Sequence, residues 1–271
     1  MYWAHFINLF QPASKSNDFI RKAVRTCYQP LVEVLEAHPN ARMTINLDAS
    51  LAERLDSLGL ESVLQALRRL AERGQVELTA SAYGGAVLAT LTPDEMTSLI
   101  ERNTQSNAAL FGDVYRPAGF FPPEMSYVSG IAPVVRDLGY RWIMLDEMSH
   151  SGTPGAVRYD RAYEIDGLGG LKVFFRDRSI STGIMYGSFQ DADGFMAAQQ
   201  NRPGDGRFVL TGTEADIYGM RRTTPRDFLI DMMESSPVEF ITASEAMERF
   251  DTFEPVTPVP GSWSTWDTLA F

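Results

Sequence analysis

Cysteine is all but missing from this chain: Cys27 stands alone among 271 residues. No internal disulfide is available, so a reducing, cytoplasmic setting is expected. Beside Val24 and Tyr28 in a helical stretch, the thiol reads as a small buried hydrophobe and not as a nucleophile. Histidine is nearly as scarce. His5, His38 and His150 lie far apart, without the His-x-x-x-His spacing of a metal site, so neither metal nor cofactor is expected. Basic residues are outnumbered, 24 against 35 acidic ones, for a net charge of −11. Nucleic acid and anionic membranes are bound by neutralising phosphates with Lys and Arg, so neither is an expected partner. No window approaches the roughly 18 apolar residues of a membrane span. The opening MYWAHFINLF lacks the basic region and cleavage site of a secretory signal. A Gly-x-Ser-x-Gly elbow is absent, and Gly167-Leu168-Gly169-Gly170 reads as a turn between strands, not a phosphate loop.

What is present is core material and alternation. Hydrophobic residues make up 44% of the chain, with 16 Phe, 10 Tyr and 4 Trp. Short β-rich runs at Tyr2–Leu9, Met43–Leu47, Val76–Thr79, Gly119–Phe121, Trp142–Leu145, Lys172–Phe175, Phe208–Leu210 and Val238–Ile241 are separated by helical patterns. Helices are expected over Asn17–Ala37, kinked by Pro30, and over Leu60–Leu70 until Gly74. Others follow at Pro93–Leu110, Ile131–Leu138, Ala192–Gln200 and Thr224–Glu234. Thr92-Pro93-Asp94-Glu95 and Thr242-Ala243-Ser244-Glu245 are capping boxes. Ser149–Gly155 and Pro203–Gly206 read as loops. The tail Phe253–Phe271 reads as extended, packing through Trp263 and Trp266. Seven or eight strands with crossover helices predict a single α/β domain, an incomplete (β/α)7-type TIM-like barrel.

Such barrels carry chemistry at the C-terminal strand ends. The polar residues there are Asn8, Gln11, Asp48, Ser81, Tyr83, Glu124, Asp146, Glu147, Arg176, Asp177, Glu214 and Asp216. Carboxylates dominate. Glu124 stands behind a rigid Pro122-Pro123 turn among aromatics, an unusual place for a solubilising acid, although capping of the next helix would also use it. Two acids roughly 5–5.5 Å apart suit retaining glycoside hydrolysis, one as nucleophile and one as proton donor. Trp3, Phe121, Tyr127, Tyr186, Tyr218 and Trp263 are candidates to stack on sugar rings, though most barrel aromatics are core.

Phe121-Pro122-Pro123-Glu124-Met125-Ser126-Tyr127, followed by Gly139-Tyr140 and Leu145-Asp146-Glu147, resembles the nucleophile region of glycoside hydrolase family 57. Phe10-Gln11-Pro12 and Gly74-Gln75-Val76-Glu77-Leu78 resemble its first two motifs. Phe175-Arg176-Asp177-Arg178 resembles the stretch after the nucleophile, and Gly261-Ser262-Trp263 a late Ser-Trp motif. Glu214-Ala215-Asp216-Ile217-Tyr218-Gly219 resembles the family's Asp-x-Glu-x-aromatic-Gly, with the two acid types exchanged. Asn8 stands where the first motif has histidine. The resemblance implies Glu124 as nucleophile and Glu214 as acid/base, with Asp216 the second choice for proton donor. It implies an oligosaccharide or polysaccharide of α-glucan type as partner, bound by Asn8, Gln11, Tyr83, Tyr127, Arg176, Asp177, Tyr218 and Trp263. Two readings stand at this point: a retaining hydrolase or glucanotransferase, or a carbohydrate-binding pseudoenzyme on the same barrel.

Overall fold

A computed structural model describes residues 1–199, 208–235 and 237–264. The expected Trp266, Gln200 and Pro203–Gly206 features lie outside the described residues. Ten strands are formed among the described residues: β1 (Tyr2–Leu9), β2 (Met43–Leu47), β3 (Val76–Leu78), β4 (Gly119–Phe120), β5 (Trp142–Asp146), β6 (Ala162–Ile165), β7 (Lys172–Arg176), β8 (Phe208–Glu214), β9 (Glu239–Ile241) and β10 (Phe253–Val256). Parallel pairing runs β3-β2-β1-β8 and, in a second ladder, β4-β5-β7. One parallel bridge, Ala80 with Phe120, joins β3 to β4. Seven strands thus follow one another around an incomplete (β/α)7 barrel.

The seam lies between β7 and β8. There the Asp177 N–H donates to the Leu210 carbonyl at 2.7 Å. Side chains serve the next positions: Arg176 Nε donates to the Gly212 carbonyl at 2.7 Å, and Ser181 Oγ accepts from the Gly212 N–H at 3.0 Å. Backbone groups buried beside the seam need partners whether or not a strand supplies them. The start of β7 pairs antiparallel with β6 through the glycine turn at 167–170, and β6 pairs with β10. Sequence periodicity missed both: β6 is four residues long, and β10 lies in what reads as an extended tail.

Phe6, Phe121, Met125, Trp142, Met144 and Leu210 fill the barrel. Helix Ala243–Glu248, opened by the expected Thr242 capping box, closes the N-terminal end. Its Ser244 N–H and hydroxyl both donate to Glu77, and Trp142 Nε1 donates to Ser244 Oγ at 3.0 Å. Two helical segments depart from expectation at points of interest. Asp48, a strand-end acid in the sequence, caps an additional helix, Ala49–Ser57, through the Ser50 N–H. Ser149–Gly155 is not all loop, because Met148–Ser151 forms one helical turn.

The Asn17–Ala37 helix is continuous, but Val24–Tyr28 is a π-turn in which the Gln29 N–H reaches the Val24 carbonyl. Pro30 lacks the N–H that would bond the Thr26 carbonyl four residues back, and its ring would strike that oxygen. Gly219 occupies the space beside it: a Cβ there would sit 1.8 Å from the Thr26 oxygen. Gly219→Ala must push two backbones apart at the segment that carries the acids. We expect a loss of about 3 kcal/mol, read as a lower midpoint in thermal unfolding; an unchanged midpoint would show the contact to be slack.

Candidate active site

Glu214 ends β8 and Asn8 lies directly opposite it on β1. Asn8 Nδ2 donates to both carboxyl oxygens, at 3.0 and 3.2 Å. The amide is itself fixed. Asn46 Nδ2 on β2 donates to Asn8 Oδ1 at 2.8 Å, and Thr79 Oγ1 after β3 donates to Asn46 Oδ1 at 3.3 Å. A chain of neutral groups across four neighbouring strand ends therefore orients one acid. Burial pushes Glu214 up to about 8; the Glu124 and Asp216 carboxylates add to the rise, while Asn8 and Arg221 oppose it. Near neutrality the group holds its proton. Among the described residues its hydrogen-bonding partner is a donor, so the carboxylic O–H has no protein acceptor and remains available to a ligand.

Glu124 is placed differently. Glu124 and Met125 have φ of 59° and 46°, left-handed values that cost a non-glycine residue about 1 kcal/mol or more each. The tail holds this turn in place. Ser262 Oγ donates to the Glu124 carbonyl at 2.7 Å, as does the Trp263 N–H at 3.2 Å, and Tyr127 pairs with Gly261. The side chain is gripped too: Trp263 Nε1 at 2.7 Å and Ser264 Oγ at 2.6 Å both donate to Oε2. No described residue hydrogen-bonds Oε1.

Asp216 forms the third acid. Gln11 Nε2 donates to it at 2.7 Å and to the Tyr28 hydroxyl at 2.9 Å. Burial raises its pKa, opposed by Arg221, whose guanidinium lies 3.8 Å away, and by Gln11.

Several residues expected to bind substrate are engaged by other protein groups. Asn8, Gln11 and Trp263 each hold a carboxylate. Tyr218 is fully buried, its hydroxyl bonded to His5 at 2.5 Å and Thr213 at 3.0 Å, so it cannot stack on a sugar. His5 on β1 is neutral, pushed down to about 3 by burial and by Arg176. Tyr127 packs in the core with Phe120 and Ile131 and also offers no face. Arg176 is buried against Asp146 at 2.9 Å, and Asp177 caps helix Arg178–Tyr186 through the Ile180 N–H. Tyr83 turns outward: its hydroxyl donates to Glu53, and Arg102 covers its ring at 3.7 Å. Trp3 and Phe121 are core as well. Of the aromatics named from sequence, Tyr186 is the exposed one, at 61%. Glu124 does not cap the next helix, Ile131–Asp137, whose N-cap position is Gly130 and which has no side-chain cap. Sequence reasoning gave no site role to Asn46, Thr79 or Ser264 and quoted Arg178 only within a motif, because their partners lie far along the chain.

Among the described residues no group of three or more His, Cys, Asp or Glu side chains could hold a metal ion. Cys27 donates its S–H to the Ala215 carbonyl and is fully buried. A cleft of about 520 Å³ lies at the other end of the barrel, where β2 and β9 begin, with His38, Asn40 and Glu239 in its lining. Glu239 is the one acid in that lining.

The comparisons with known proteins agree with this architecture. An α-amylase of Pyrococcus furiosus is 24% identical over 256 residues, 90% of this chain but 38% of its own. A 4-α-glucanotransferase of Thermococcus kodakarensis is 23% identical over the same shares. The chain spans between 21% and 38% of the length of the curated relatives it matches. In structure, the 4-α-glucanotransferase of Thermococcus litoralis superposes with a TM-score of 0.83 at 18% identity, covering 97% of this chain and 42% of that one. The glycosyl hydrolase family 57 model matches residues 2–257, and the chain belongs to that family.

Proposed function

We propose that this chain is a retaining glycoside hydrolase or glucanotransferase that acts on α-glucan oligosaccharides. The observation that carries the reading is the unequal treatment of two interacting acids. Glu214 is half-buried, pushed up to about 8 by desolvation and oriented by a donor. Glu124 presents one oxygen after two donors have taken the other. Retaining chemistry asks for this division of labour.

Glu124 Oε1 attacks the anomeric carbon as the bond to the leaving oxygen breaks, and the Glu214 proton passes to that oxygen. Glu214, now ionised, takes a proton from water or from a sugar hydroxyl. That oxygen attacks the anomeric carbon and releases Glu124. Water as acceptor gives hydrolysis and a glucan hydroxyl gives transfer; the relatives' names, α-amylase and 4-α-glucanotransferase, span both outcomes. Gln11 holds Asp216 beside the proton donor, where its charge helps keep Glu214 protonated. The lone buried thiol fits a cytoplasmic place of action.

Covalent trapping tests the reading. Incubation with a fluorinated glucosyl or maltosyl fluoride is expected to add one glycosyl unit, and peptide mass spectrometry is expected to place it on Glu124. Turnover of maltooligosaccharides without an adduct at that residue would remove Glu124 from the mechanism.

A further inference from the structure

The donors that grip Glu124 belong to a tail with few strands of its own, so something must hold the tail. Arg178 does. Its Nη1 donates to Asp146 at 2.7 Å and to the Ser262 carbonyl at 3.4 Å, and its Nη2 donates to the Trp263 carbonyl at 3.2 Å. Asp146, at the end of β5, is completely buried and also takes Arg176 Nη1 at 2.9 Å and the Met148 N–H at 3.2 Å. Arg176 in turn is tied to β8 through the Gly212 carbonyl and lies 5.6 Å from the centre of the Trp263 ring. Phe121, on the segment leading to Glu124, packs on that ring at 5.5 Å.

From this we infer that Arg178, braced by Asp146, is a positioning residue for the nucleophile: it anchors the 262–263 backbone so that Trp263 and Ser264 hold Oε2 of Glu124 and turn Oε1 toward the substrate. This rests on the assignment of Glu124 as nucleophile. The guanidinium geometry matters, because one planar fork serves a carboxylate and two carbonyls together, which a lysine ammonium on a flexible stem does not reproduce. The hydrogen bonds described for Arg178 go to Asp146 and to the 262–263 carbonyls. Its effect passes through the tail, where a displacement of about 1 Å at a reacting group can cost about 100-fold in rate.

The test compares R178M and R178K with the wild type, each checked for cooperative thermal unfolding. R178M is expected to lower kcat about 10- to 100-fold while KM stays within about threefold. R178K is expected to fall between. In a W263F/S264A background, R178M is expected to cost no more than about twofold further, since the groups it positions are gone. The indole N–H signal of Trp263 in NMR, identified as the peak missing in W263F, is expected to shift and exchange faster in R178M. An R178M enzyme at wild-type kcat, a loss that multiplies with W263F/S264A, or an unmoved indole signal would each overturn the inference. If the wild type forms no adduct at Glu124, the functional reading fails instead, and the indole signal still decides whether Arg178 anchors the tail.

Discussion

Glu124→Gln is expected to give a folded protein whose turnover of maltooligosaccharides falls by about 10⁴-fold or more, since on the proposed mechanism it removes the covalent nucleophile and with it an entire reaction route. The replacement is nearly isosteric, and an amide oxygen can still accept from Trp263 Nε1 and Ser264 Oγ, the donors now bonded to Oε2. The thermal midpoint should therefore stay close to that of the wild type. Steady-state kinetics and one unfolding scan check both statements. An active Glu124→Gln enzyme would overturn the double-displacement scheme. A wild type that binds oligosaccharide tightly and turns none over would favour the carbohydrate-binding pseudoenzyme instead.

Glu214→Gln is expected to lower kcat/KM by about 10²- to 10⁴-fold on substrates with poor leaving groups, and much less on an aryl glycoside whose leaving group needs no proton. The wild-type pH profile carries the complementary signature. With Glu214 raised from 4.5 to about 8, the proton-donor form persists below that value and is lost as pH climbs through it. The alkaline limb of kcat/KM is expected near pH 8, and it should vanish in Glu214→Gln. Linkage has the same sign. The folded chain keeps this proton at a pH where the unfolded chain has released it, so this group's contribution to stability declines between the ordinary carboxylate range and about pH 8. A limb that persists unchanged in Glu214→Gln would assign the ionisation to another group.

The barrel was legible in the sequence because its evidence is local and repeated. Apolar runs marked most strands, and Thr92 and Thr242 announced two helices whose capping boxes form as written. β6 and β10 were missed for the converse reason, since each is four residues long and the two pair with each other across a long stretch of chain. At the site, sequence singled out the acids but not the groups that engage them. Asn8, Gln11 and Trp263 look like ligand-binding groups because they are polar or amphipathic at strand ends; in three dimensions each is engaged by an acid. Tyr127 and Tyr218 adjoin the acids along the chain yet point into the core. Neighbourhood in sequence says nothing about which side of a turn a ring occupies. Asn46 and Thr79 matter only through the chain of amides ending at Glu214, so no local pattern marks them.

The grip of Trp263 and Ser264 on a carboxylate some 140 positions earlier has a consequence for how the protein is made. A nascent chain emerging from the ribosome has exposed Glu124 and every barrel strand before residues 262–264 leave the exit tunnel. Until they do, the left-handed turn at Glu124 lacks the tail that secures it. Synthesis therefore lays out the strands before the segment that secures Glu124, the proposed nucleophile.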